Sequence, residues 1–124
     1  MPLGRVLVVD DELQVGAMLR DALVDFGYIV KTAVSGVEAL GLMRAFQPDV
    51  VLLDVLMPGM SGAAVLEQLH REYPRVPVIM VTANQDEDAA RHMLTGGAFD
   101  YVPKPFDLGV LERVVGAAVA SRRP

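Results

Sequence analysis

The chain has 124 residues, of which 52% are apolar, no cysteine, and a formal net charge of −5. That length suits one compact domain with its own core and leaves no room for a second. The lack of cysteine excludes disulfides and thiolate metal sites, and the acidic balance argues against direct nucleic-acid binding, because a phosphate backbone needs a basic face that Arg122 and Arg123 alone do not make.

No run approaches the roughly 18 apolar residues of a membrane span. Met1 to Arg5 carries one basic residue, and the apolar run Val6 to Val9 ends in acids, unlike a secretory signal. A cytoplasmic location with no membrane contact is therefore expected. His70 and His92 are not at metal-ligand spacing and read as surface residues.

Two spacings alternate along the chain. Arg5 to Asp10 is a short β-branched run and reads as a strand. Val15, Leu19, Ala22, Leu23 and Phe26 follow at helical spacing, stopped by Gly27. Tyr28 to Thr32 is the second strand. Ser35 opens the next helix with Glu38 three residues later, a capping-box pattern, and Leu40 and Met43 face inward before Pro48. Asp49 to Asp54 is the third strand. Its unbroken run Val50-Val51-Leu52-Leu53 predicts cover on both faces. Ser61 caps a third helix carrying Val65, Leu66 and Leu69, closed near Pro74. Val76 to Val81 is the fourth strand. Asn84 with Glu87 repeats the capping pattern, Ala90, Met93 and Leu94 follow, and Gly96-Gly97 ends that helix. Phe99 to Val102 is a short fifth strand, and Asp107 caps a last helix with Leu111, Val114, Val115 and Ala118 inside. Five strand–helix repeats predict an α/β fold, a doubly wound parallel sheet with helices on both faces.

In such a sheet, ligands bind outside the carboxyl ends of the strands. Chemistry collects there. Strand one ends in Asp10-Asp11, strand three in Asp54, strand four in Thr82, and strand five runs into Pro103-Lys104-Pro105. Clustered carboxylates repel one another and favour a cation or a proton. Mg²⁺, or Mn²⁺ in its place, is the expected cofactor, since it takes oxygen ligands, keeps waters and is commonly held by one or two carboxylates with a phosphate. Asp11 and Asp54 are the expected direct ligands, Asp10 is direct or through water, and the Leu56 backbone carbonyl could add an oxygen. The bland alternative is that Asp10-Asp11-Glu12 merely caps the first helix, where acids favour the positive end of the dipole. Asp54 follows four apolar residues, and a buried carboxylate there needs a specific partner. A carboxylate at such a mouth can attack phosphorus and form an acyl phosphate. Lys104 would supply positive charge for a phosphate, its flanking prolines limit where it can go, and a cis peptide before Pro105 is expected. Thr82 offers a hydroxyl donor, or is only a β-branched residue ending a strand.

Val8-Val9-Asp10-Asp11-Glu12, Leu53-Asp54 with Met57-Pro58-Gly59-Met60-Ser61-Gly62, Val81-Thr82-Ala83, and Gly97 to Phe106 occur in order. In these pieces the sequence resembles the receiver domain of two-component response regulators, of the chemotaxis-regulator type, over essentially the whole chain. The resemblance implies a flavodoxin-like (βα)5 fold with a five-stranded sheet of order 2-1-3-4-5. It implies Asp54 as phosphoacceptor, Asp10 and Asp11 as Mg²⁺ holders, Lys104 as the phosphoryl's ion-pair partner, Thr82 moving towards the phosphoryl group, and Tyr101 as the aromatic that swings with it. The donor would be a histidine kinase or a histidine phosphotransfer protein, with small acyl phosphates as substitutes. The signal would leave through the face of helix four, strand five and helix five, to an output domain or a downstream protein, with a homodimer possible on phosphorylation. The chain would be a switch that takes part in its own phosphorylation and dephosphorylation, not an enzyme with a separate substrate. Residues 1–124 would be the receiver, with 122–124 the possible start of a linker to an absent output domain. Leu56 and Asn84 stand two residues after Asp54 and Thr82, positions that in this family tune water access to the acyl phosphate; Leu56 would hinder that water and slow hydrolysis.

Three other readings compete. A haloacid dehalogenase-type phosphohydrolase also uses an Asp nucleophile and Mg²⁺, but needs a second acid where Leu56 stands. A flavodoxin-like cofactor binder needs a Ser/Thr/Gly-rich phosphate loop where Asp10-Asp11-Glu12 would repel phosphate. A receiver-like interaction module working without phosphorylation would not need the full acidic set.

Overall fold

The computed structural model describes residues 2–55, 57, 59–82 and 87–122. Its elements alternate as β1 (Arg5–Val9), α1 (Leu13–Asp25), β2 (Ile29–Ala33), α2 (Gly36–Phe46), β3 (Val50–Asp54), α3 (Gly62–Glu72), β4 (Val78–Thr82), α4 (Glu87–Thr95), β5 (Asp100–Pro103) and α5 (Leu108–Arg122). All strand pairs are parallel, and the order across the sheet is β2-β1-β3-β4-β5, as the resemblance implies.

The unbroken apolar runs are explained by two cores, one on each face of the sheet. Successive strand residues point to opposite faces. Val6, Val8, Val50, Leu52, Ile79 and Val81 therefore pack with Leu19 and Leu23 of α1 and with Leu111, Val115 and Ala118 of α5. Leu7, Val9, Val51, Leu53, Val78 and Met80 pack with Ala39 and Met43 of α2 and Val65, Leu66 and Leu69 of α3. In α4, Met93 lies against this second core while Leu94 is exposed.

Local sequence signals set the helix ends. The Ser35 hydroxyl accepts from the Glu38 amide at 3.1 Å, and the Glu38 carboxylate reaches back to the Val34 amide at 2.9 Å. Asp107 accepts from Val110 at 3.0 Å at the start of α5. The Asn84 cap expected for α4 lies outside the described residues. Removal of the α2 cap in Ser35→Ala is expected to cost about 1 kcal/mol, read from the urea midpoint at unchanged m-value. Gly41 sits exposed inside α2, where an added Cβ would meet nothing within 4 Å. Gly41→Ala is expected to stabilise by about 0.5–1 kcal/mol through helix propensity alone, measured the same way.

Strand limits differ from the sequence reading by one or two residues. β4 starts at Val78 because Val76 donates to the Tyr73 carbonyl in a turn and Pro77 has no amide to give the ladder. Asp10 still donates to the Ala33 carbonyl at 3.0 Å, but β1 itself ends at Val9.

Candidate functional site

Register carries the acids to one rim. Val9 pairs with Leu53, so the next residues, Asp10 and Asp54, leave neighbouring strand ends side by side. Asp54 pairs with Val81, and Thr82 pairs with Pro103, so Lys104 leaves β5 at the same edge. Two-residue alternation puts Asp54 in the row of Val50 and Leu52, Asp10 in the row of Val6 and Val8, and Lys104 in the row of Val102, all on the α1/α5 face. One strand, β4, separates Asp54 from Lys104. Only a long side chain spans that gap, and Lys104 does. Its ammonium is 3.4 Å from Asp10 Oδ2 and 3.8 Å from Asp54 Oδ1.

Asp10 and Asp54 are 3% and 4% exposed, and Asp11 is the more open of the three acids. A carboxylate oxygen from each of the three lies within 4.8 Å of the others. One ammonium against three carboxylates leaves the cluster strongly anionic, and such a cluster favours a cation. The donor set is all hard oxygen. Three hard oxygens gathered this closely fit a divalent cation of the Mg²⁺ kind, which takes oxygen ligands and keeps several of its waters. The N-cap of α1 is Glu12, with no side-chain cap bond. Asp10 Oδ1 instead accepts from the Glu12 amide at 2.9 Å, which fixes the Asp10 carboxylate at the rim.

The remaining candidates divide. Thr82 is buried at the end of β4. Tyr101, in register with Met80, is half-buried and packs with the second core, on the opposite face from Lys104. Its ring is thus one diagonal step from the end of β4, not at the acids. The Lys104–Pro105 peptide is cis. Leu56, expected to lend a carbonyl, lies outside the described residues. The sequence reading quoted Gly62 within a motif but gave it no role; its amide donates to the Val55 carbonyl at 3.3 Å, and a glycine opening a helix just after the strand that ends in Asp54 was the available signal.

A family model described as the response regulator receiver domain matches residues 6–116. The chain belongs to that family. This receiver domain is 42% identical over 120 residues to the DNA-binding transcriptional regulator NtrC of Escherichia coli (strain K12), covering 97% of this chain and 26% of that protein. It is 44% identical over 104 residues to the response regulator MprA of Mycobacterium sp. (strain KMS), covering 84% of this chain and 45% of that one. Among solved structures, NtrX from Brucella abortus in complex with ADP superposes with a TM-score of 0.92 at 29% identity, covering 98% of this chain and 28% of that one. A response regulator from Chloroflexus aurantiacus J-10-fl gives 0.91 at 34%, covering 97% and 99%. The receiver domain spans about a quarter of the length of the NtrC relatives. Among its described residues, no helix is long and apolar enough to cross a membrane.

Proposed function

We propose that this receiver domain accepts a phosphoryl group on the Asp54 carboxylate and transmits the change through the face made by α4, β5 and α5. The carrying observation is the meeting of Lys104 with Asp54 and Asp10 at one rim, at 3.8 and 3.4 Å. An Asp54 oxygen attacks phosphorus in line. The bond from phosphorus to the donor atom breaks, and the leaving group keeps the electron pair. The Lys104 ammonium, already between the carboxylates, is placed to pair with the phosphoryl oxygens. Asp10, Asp11 and Asp54, with the Leu56 carbonyl proposed as a fourth ligand, would hold Mg²⁺ or Mn²⁺, which when bound neutralises charge on the transferring group.

The product carries roughly −1.5 to −2 of new charge at the rim. The Thr82 hydroxyl donates to it, and Tyr101 moves into the space this opens, biasing a two-state face. The donor is proposed to be a histidine kinase or histidine phosphotransfer protein. An apolar cleft of about 600 Å³ supports a protein donor: it opens beside Lys104, lined by Val15, Met18, Leu19, Pro105, Phe106 and Leu108. The output is proposed to be a further domain joined after residue 122 or a separate cytoplasmic protein, and the greater length of the relatives supports the former. The domain is a switch without a separate substrate, and homodimerisation through the α4-β5-α5 face is one form its output can take.

Incubation with acetyl phosphate and Mg²⁺ tests the reading. A hydroxylamine-labile gain of one phosphoryl group by intact mass is expected. A chain left unmodified by both acetyl phosphate and a phosphohistidine donor overturns it.

A further inference from the structure

α3 starts directly against the strand end that carries Asp54. Ser61 Oγ caps the helix by accepting from the Ala64 amide at 3.2 Å. The Gly62 amide donates to the Val55 carbonyl at 3.3 Å, and the Val55 amide donates to the Val81 carbonyl at 3.0 Å. The residue after Asp54 is therefore held between β4 on one side and the first turn of α3 on the other. Gly62 is buried. A Cβ on it would stand 2.5 Å from the Asp54 carbonyl oxygen, 2.8 Å from Val55 Cα and 2.9 Å from the Val55 carbonyl oxygen.

All three neighbours are main chain, so no rotamer change relieves the overlap. Gly36 makes a useful contrast: its Cβ would meet the Val65 and Met60 side chains. Among the described glycines, Gly62 alone would bring a Cβ within 3.0 Å of backbone. Restoring ordinary separation requires the α3 start or the β3 end to move by roughly 1 Å. Such a shift is large beside the 3.8 Å contact between Lys104 and Asp54.

We propose that Gly62 is a positioning residue for Asp54. Its missing side chain lets α3 seat on the acceptor's own backbone, and that seat sets where the carboxylate meets Lys104, Asp10 and Asp11. The proposal rests on Asp54 being the phosphoacceptor. Misplacing a reacting group by about 1 Å can cost on the order of 100-fold in rate, so the effect of a single methyl here is expected in the chemistry as well as in stability.

The test compares Gly62→Ala with Gly27→Ala, both in the Gly41→Ala background to recover stability. Gly27 lies in the turn between α1 and β2, at the opposite edge of the sheet, with φ +107° that disfavours a side chain. It therefore controls for stability loss without touching the rim. Each variant is checked by circular dichroism, titrated with Mg²⁺ by calorimetry, and assayed for acetyl phosphate-dependent labelling across Mg²⁺ concentrations. Gly62→Ala is expected to label about 10- to 100-fold more slowly at saturating Mg²⁺, with weakened Mg²⁺ binding, while Gly27→Ala stays within about twofold of the unsubstituted chain in both. Rates and Mg²⁺ affinities for Gly62→Ala within about twofold of Gly27→Ala overturn the proposal. If Gly62→Ala does not fold, Ser61→Ala loosens the same seat without the added Cβ; a rate within about twofold of the unsubstituted chain then overturns it, and a slower one supports it. An unsubstituted chain that takes no label from acetyl phosphate or from a phosphohistidine donor overturns the phosphoacceptor reading itself, and this proposal with it.

Discussion

Asp54→Asn is expected to lose hydroxylamine-labile phosphorylation by at least about 10³-fold, because the substitution removes the proposed nucleophile itself. Asn keeps the shape and one acceptor oxygen but not the charge. The Asp54 carboxylate has the Asp10 and Asp11 carboxylates within 4.8 Å and the Lys104 ammonium at 3.8 Å. Removing its charge therefore deletes two repulsions and one attraction at similar distances. Metal-free stability should stay level or rise by up to about 1 kcal/mol, and Mg²⁺ should bind more weakly because one anionic ligand is gone. Labelling, urea unfolding without metal, and Mg²⁺ titration read the three effects. Retained label at the rate of the unsubstituted chain would remove Asp54 from the chemistry. A metal-free loss of about 3 kcal/mol or more, the size expected for breaking a needed buried pair, would make Asp54 a structural residue first.

Lys104→Ala should produce the opposite electrostatic signature. It takes away the ammonium that pairs with Asp10 and Asp54 and leaves the three carboxylates facing one another. Lys104 is partly open to solvent, so the metal-free loss should fall below that of a fully buried pair, at about 1–3 kcal/mol. Mg²⁺, if it binds these acids as proposed, would take over the neutralising role, so the loss should shrink as Mg²⁺ is added, and Mg²⁺ affinity should increase. Phosphorylation should nevertheless slow by about 10²- to 10³-fold, since the charge proposed to meet the phosphoryl oxygens is absent. The test is urea unfolding with and without Mg²⁺ alongside the labelling rate. A stability loss that Mg²⁺ does not reduce would mean that Lys104 works through packing of its stem and not through the acidic cluster.

Much of this was readable before any coordinates. Helical spacing at Leu19 and Leu23, the capping hydroxyls of Ser35 and Ser61, and the apolar run Val50 to Leu53 are local signals, and local signals survive folding because they act within one or two turns or along one strand. The same locality explains the errors. Where β4 begins depends on which amides find partners on β3, and Pro77 has no amide to offer, so Val76 is spent in a turn although its side chain looks like strand. The order of the acids along the chain suggested the rim; it did not say that Asp10 would be tied to the Glu12 amide, or that Tyr101 would lie on the other face of the sheet.

By itself the sequence determined the alternation of strand and helix, the burial of the sheet on both faces, and the residue types available at strand ends, because periodicity, capping and apolar runs are properties of short stretches of chain. Only the tertiary structure decided which of those strand ends are neighbours, how far Lys104 must reach across β4, and how closely Gly62 lets α3 approach Asp54. Those are set by inter-strand register and by backbone-to-backbone packing between segments distant in sequence, and neither leaves a periodic trace in the chain.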